Sequence, residues 1–236
     1  MSREAVFGAI RQSLGRGPLT PDARRELDQR ISEHRANLIP ARSDGDHARQ
    51  VALFVEMAEQ MSCAVQRLSS AAEIPAAAAE YLRGRNLPMA LGLAPDPELK
   101  ALPWDGQPML ERHEGAARNQ DLASLTPAFA AIAETGTLMM TSGAAHPTTL
   151  NFMPDHHIVV LKAGQVVGAY EEAWARLRES RRTAEGGFDM PRTVNLITGP
   201  SRTGDIELTI HLGAHGPRSL HILLIDDDDG AERTAR

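Results

Sequence analysis

The chain has 236 residues, 42% of them hydrophobic and 24% charged, with a formal net charge of −6. This is ordinary for a soluble globular protein and gives enough chain for one large α/β core with a helical appendage. The acidic balance argues against general nucleic-acid binding, which needs a basic patch or stripe. The single cysteine, Cys63, rules out an internal disulfide, a four-cysteine iron–sulfur cluster and a cysteine-rich zinc site.

Residues 3–14 place Val6, Ile10 and Leu14 at helical spacing after a Ser2 N-cap. "GRGP" stops this helix, and Thr20 caps a second one with Pro21 at its first position. Leu27, Ile31 and Leu38 form only a thin apolar stripe on the second helix, so it is expected to lie across another surface rather than build a core. "IPARSDGD" reads as a linker, which makes residues 1–46 a helical arm.

From residue 47 helices and strands alternate. "HARQVALFVEMAEQM" is helical, "CAVQRL" a strand, "AAEIPAAAAEYLRGRN" a helix and "PMALGLA" a strand. A proline-rich stretch follows, and then "DLASLTPAFAAIAE", which periodicity leaves ambiguous. "GTLMMTS" and "HHIVVLKAGQVVGAY" read as strands, the second with a turn at "AG", and "EEAWARLRESRR" as a helix. "RTVNLIT" is a strand, "GDIELTIHLG" is expected to be helical, and "SLHILLID" closes the domain as a strand. Near-continuous apolar strands alternating with helices imply a mostly parallel sheet covered on both faces. The domain is expected over 47–225, followed by a charged, frayed tail at 226–236 whose Asp226 to Asp229 run is a solvated terminus. No run approaches the ~20 apolar residues of a membrane span. The N-terminus has no signal-peptide pattern, so the expected location is the cytoplasm.

Three clusters carry chemistry. In "AETGT", Glu134 follows an apolar run and is flanked by Thr135, Gly136 and Thr137. A carboxylate at the edge of a packed sheet acts as nucleophile or base when desolvation raises its pKa, and is otherwise a loop brace. In "ITGPSRTGDIE", a strand runs through Gly199 and Pro200 into Ser201, Arg202, Thr203, Asp205 and Glu207. Ligands collect at the carboxyl ends of strands in open α/β sheets, and helix N-termini favour anions. The stretch is therefore expected to be a strand-to-helix turn facing a ligand, with Arg202 holding a carboxylate or phosphate. It is neither a phosphate-binding GxxxxGK[ST] loop nor a GxGxxG turn. "HLGAHGP" sets His211 and His215 four apart, but Gly213 and Gly216 weaken any helix and no adjacent Glu completes a metal motif. No metal site is expected.

"AETGTLMMTS", "MPDHHIVVL", "ITGPSRTGDIE" and "GAHGPRSLHILLID" occur in that order, and together they resemble the LUD-domain family in its lactate-utilisation protein C branch. The resemblance covers roughly residues 47–225. It implies a three-layer α/β/α fold of the CoA-transferase-like and sugar-phosphate-isomerase-like kind, and a role in bacterial oxidation of L-lactate to pyruvate beside iron–sulfur partner subunits. The matching positions are Glu134, Thr135, Gly136 and Thr137; Pro154 and His157; Gly199, Pro200, Ser201, Arg202, Thr203, Asp205 and Glu207; and His215, Gly216 and Pro217. By fold analogy Glu134 is the candidate catalytic residue, and the other listed positions from 135 to 137, from 199 to 207, and His215 and Gly216 form a ligand site. No cofactor is expected on this chain itself, although a small anionic ligand is. Two other readings stand beside this one: a stand-alone acyl- or sugar-phosphate-acting enzyme using Glu134, and a non-catalytic assembly module. A homo-oligomer is compatible with each.

Overall fold

The computed structural model describes residues 2–203 and 211–226. Contacts within the chain divide it into two units, Met1–Leu38 and Ile39–Arg236. The first unit holds helix α1 (Arg3–Ser13) and helix α2 (Pro21–Glu33). The Ser2 and Thr20 hydroxyls accept hydrogen bonds from the backbone N–H groups of Ala5 and Ala23, the capping that the sequence predicts. Neither helix has a buried residue. His34 ends α2 in a left-handed conformation (φ 46°), so Leu38 lies beyond the helix rather than on its stripe.

The second unit runs α3 (His47–Gln60), β1 (Ala64–Leu68), α4 (Ile74–Gly84), β2 (Ala90–Leu93), α5 (Pro97–Lys100), β3 (Glu111–Glu114), β4 (Ala123–Pro127), β5 (Ala130–Ile132) and β6 (Thr137–Thr141). It continues through α6 (Thr149–Phe152), β7 (His156–Lys162), β8 (Val166–Val167), α7 (Tyr170–Ser180), β9 (Val194–Ile197), β10 (Arg202–Thr203), β11 (His211–Leu212) and β12 (Ser219–Ile225). Six strands form a parallel sheet in the order β1-β12-β7-β4-β2-β3. The molecule is thus of the α/β class with the parallel central sheet that the sequence predicts.

Alternation along β7 and β12 sends Ile158, Val160, Leu223 and Ile225 to one face, against α4. Val159, Leu161, Leu220, Ile222 and Leu224 go to the other face, against α3 and a second sheet. Burial on both faces is why these strands read as unbroken apolar runs. The second sheet has the order β8-β5-β6-β9 and is antiparallel at β5–β6 and β6–β9. Its far side packs Ala130, Ile132 and Met139 on Ala173 and Leu177 of α7.

Several local expectations change. The ambiguous stretch before Glu134 is two strands, β4 in the parallel sheet and β5 in the second sheet, with only Ala128 and Phe129 between them. β3 lies at the sheet edge, where its sequence "ERHE" carries no apolar signal. Arg202 and Thr203 are extended and pair antiparallel with Leu212 and His211, so no helix begins there. The rest of the expected helix, with Asp205 and Glu207, lies outside the described residues. In the tail, Asp226 ion-pairs with Arg67, and the remaining acids of that run lie outside the described residues.

Gly136 turns the β5–β6 hairpin at φ +65°, and a Cβ there would stand 2.4 Å from the backbone nitrogen of Ala58 in α3. A Gly136→Ala variant must strain its backbone and push the hairpin off α3. It is expected to lose about 2–4 kcal/mol of stability, read as a lower urea midpoint at unchanged slope. A loss inside measurement error would show that hairpin and helix are not held at this distance.

Two core histidines make stability acid-sensitive. His157 on β7 is fully buried, which pushes its pKa down to about 3. His221 on β12 is lowered to about 4, by burial first and then by the Arg85 charge. In the unfolded chain both titrate near ~6.5. Above that pH both are neutral in both states, and stability does not depend on them. Below it the unfolded chain takes up protons that the fold refuses, so stability falls by up to about 1.4 kcal/mol per pH unit per histidine. Urea midpoints are expected to hold between neutral and mildly alkaline pH and to drop from pH ~6.5 toward ~4. His157→Gln should fall less steeply there, and an equal slope in wild type and variant would remove His157 from the account.

Candidate functional site

The site is built where β9 leaves the second sheet. Gly199 has φ +80°, and a Cβ on it would meet the Met61 carbonyl oxygen, at the carboxyl end of α3, at 2.4 Å. Only glycine lets the chain turn this close to another backbone. The turn is then tied to the segment before β12. The Ser201 N–H donates to the Pro217 carbonyl (2.8 Å), the Gly213 N–H donates to the Ser201 carbonyl (3.0 Å), and the His215 N–H donates to Ser201 Oγ (3.2 Å). The β10–β11 pairing continues this seam. Ser201 therefore receives a loop amide instead of capping a helix.

A cavity of about 280 Å³ opens beside the seam. Its walls include Gly199, Pro200, Ser201, Arg202, His215 and Gly216, so six of the ligand-site positions predicted from sequence come together. Thr203 sits in β10, next to this wall. Arg202 is exposed, and one of its guanidinium nitrogens donates to the Met61 carbonyl (3.1 Å). Among the described residues that is the one hydrogen bond of its side chain, and a planar fork of this kind suits a ligand oxyanion. Cys63 lies nearby as a buried thiol. Burial pushes it up to about 11 against smaller opposing effects of the Gly199 backbone and the Arg202 charge, so it stays a protonated, inert side chain.

Sequence reasoning missed other walls of the cavity. Thr198, Asn151 and Phe152 line it, as does His157, whose Nε2 is 2.7 Å from Thr126 Oγ1 and whose Nδ1 has no hydrogen-bond partner. Asn151 and Phe152 belong to α6, about 50 positions before the turn, and only the sheet crossing brings them in.

The first predicted cluster meets the cavity through Thr198 alone. Thr198 Oγ1 is 2.6 Å from Thr137 Oγ1, which is 2.9 Å from the Tyr170 hydroxyl and 2.7 Å from Thr135 Oγ1. Thr135 Oγ1 donates to Tyr170 at 3.0 Å, closing a ring of hydroxyls behind the wall. Glu134, Thr135, Gly136 and Thr137 themselves are not among the cavity's walls. Glu134 is 5% exposed, and its Oε1 accepts from the Tyr170 N–H (3.4 Å) at the first turn of α7, where a carboxylate complements the helix dipole. Its Oε2 is buried and has no hydrogen-bond partner among the described residues. Among the described residues, no group of three His, Cys, Asp or Glu could hold a metal ion, and no helix is long and apolar enough to cross a membrane.

Comparison with known proteins places this geometry. An uncharacterised protein of Neisseria meningitidis is 41% identical over 106 residues, covering 45% of this chain and 43% of that protein. Lactate utilization protein C of a Geobacillus species is 32% identical over 96 residues, covering 41% of this chain and 39% of that protein. The uncharacterised protein YkgG of Escherichia coli is 28% identical over 130 residues, covering 55% and 54% of the two chains. The chain thus spans about two fifths to one half of the length of these curated relatives. A crystal structure of a DUF162 family protein from Deinococcus radiodurans shares the fold, with a TM-score of 0.56 at 23% identity over 77% of this chain and 99% of that one. The family model of the LUD domain matches residues 51–225, from the first buried turn of α3 to the last residue of β12. The chain belongs to the LUD domain family.

Proposed function

We propose that this chain is a component of a bacterial lactate-utilisation system that oxidises L-lactate to pyruvate, and that it binds a small carboxylate or phosphorylated ligand beside iron–sulfur partner proteins. The observation that carries this reading is the cavity between the Gly199–Arg202 turn and the His215–Pro217 segment, with a guanidinium fork at its rim. A small acid presents a carboxylate that such a fork holds with two parallel hydrogen bonds. The lactate assignment draws on relatives named lactate utilization protein C. One cysteine supplies no cluster ligands, so in this reading electrons leave through partner subunits. The chain then works as the ligand-binding part of a cytoplasmic assembly.

One observation favours a second reading, that of a stand-alone acyl- or sugar-phosphate-acting enzyme. Among the described residues, the buried Glu134 Oε2 has no partner, a cost that a purely structural carboxylate normally avoids. The two readings separate in cells that lack the chain. Wild type is expected to restore lactate consumption, and the isolated chain is expected to turn over no lactate alone. Wild-type consumption with Glu134→Gln would reject a catalytic Glu134, whereas a catalytic acid or base lost there costs about 10² or more in rate.

Arg202→Lys keeps the charge and a donor for Met61 but loses the fork. Its ligand-free melting temperature is expected to stay within a few degrees, as for an exposed substitution worth about 0.5 kcal/mol or less. The rise in melting temperature caused by L-lactate or pyruvate is expected to shrink. If the ligand-free melting temperature drops sharply while the ligand still adds its full increment, Arg202 is a brace and the binding reading fails.

A further inference from the structure

A second cavity, roomier at about 540 Å³, opens where β6 leaves the second sheet. Its walls are firmly built. Gly143 and His146 exchange backbone hydrogen bonds (3.2 and 3.1 Å), which folds the loop back on itself. The loop is clipped to the residue before β9: the Ser142 N–H donates to the Thr193 carbonyl (2.9 Å), and the Thr193 N–H donates to Ser142 Oγ (2.9 Å).

The chemistry of the walls is one-sided. Arg192, Ser142, Thr148, Thr193 and His146 all line this space, and among the described residues no Asp or Glu does. Arg192 is exposed, and no carboxylate pairs with it among the described residues. Ser142 Oγ accepts from Thr193, so its own proton is free to donate. His146 Nε2 lies 3.1 Å from Asp96 Oδ2, and Asp96 is in turn fixed because its Oδ1 accepts from the N–H groups of Glu98 and Leu99. Asp96 stands on the far side of the imidazole, in a neighbouring cavity that shares His146. The carboxylate therefore orients the ring without lining the Arg192 cavity.

A guanidinium with no carboxylate partner among the described residues, beside hydroxyl donors, selects for negative oxygen. We propose that this cavity is a second ligand site, which takes the oxyanion of a small molecule, carboxylate or phosphoryl, on the Arg192 guanidinium and the hydroxyls of Ser142 and Thr148. It shares no wall residue with the Arg202 cavity, so it stands or falls independently of the function proposed for that cavity.

The test is a titration of the isotopically labelled full chain with inorganic phosphate, and separately with acetate, following backbone amides by NMR. Saturable shifts at residues 142–148 and 193 are expected with at least one of the two anions. Tighter phosphate binding assigns a phosphoryl group, and equal or tighter acetate binding a carboxylate. Arg192→Gln removes an exposed side chain, so its spectrum elsewhere should match wild type. It is expected to weaken the anion by about tenfold or more, the order of one charged hydrogen bond. Arg202→Lys should leave these shifts intact. The proposal is overturned if neither anion moves residues 142–148 saturably, or if Arg192→Gln binds as well as wild type.

Discussion

The carboxyl-terminal half of α3 is the post around which this domain is arranged. Two loops from the second sheet approach its backbone more closely than any side chain allows: the β5–β6 turn at Gly136 against Ala58, and the exit of β9 at Gly199 against Met61. Both glycines adopt positive φ, so neither approach is open to another residue without strain. Together they fix the hairpin and the site turn to the same end of the helix, less than one turn apart. The hydroxyl ring behind the cavity follows, because Thr135 and Thr137 flank one glycine and Thr198 precedes the other.

This arrangement explains why the sequence reveals some parts and hides others. The parallel strands are legible because β7 and β12 are buried on both faces and read as continuous apolar runs. In the second sheet, β6, β8 and β9 fall in stretches that read as strands, but β5, three alanine- and isoleucine-rich residues, is too short for any period to register. The turn at Gly199 and Pro200 is visible in composition, yet its continuation is not. Arg202 and Thr203 form a ribbon with a partner strand beyond Thr203, and the choice of partner leaves no periodicity in two residues. Asn151, Phe152 and His157 were unreadable as cavity walls for the same reason: their place depends on which strand lies beside which.

Charge at the site is distributed in a way that composition conceals. The chain is acidic overall, yet both cavities place an arginine at the wall and, among the described residues, no carboxylate. The histidine nearest the core, His157, is held neutral by burial and offers polarity without charge. Positive charge is confined to the rims, where water and a ligand reach it, and the floor stays uncharged.

The hydroxyl ring also has a direction, because each hydroxyl owns only one proton. Thr135 gives its proton to Tyr170. The contact between Thr135 and Thr137 must then be donated by Thr137, which leaves Thr137 nothing to give Tyr170 or Thr198. Both of those hydroxyls must therefore donate to Thr137, and the proton of Thr198 is turned inward, away from the cavity. What Thr198 shows the cavity is lone pairs. The wall that also carries Arg202 thus holds an acceptor, and that polarity is set by the hydroxyls behind it.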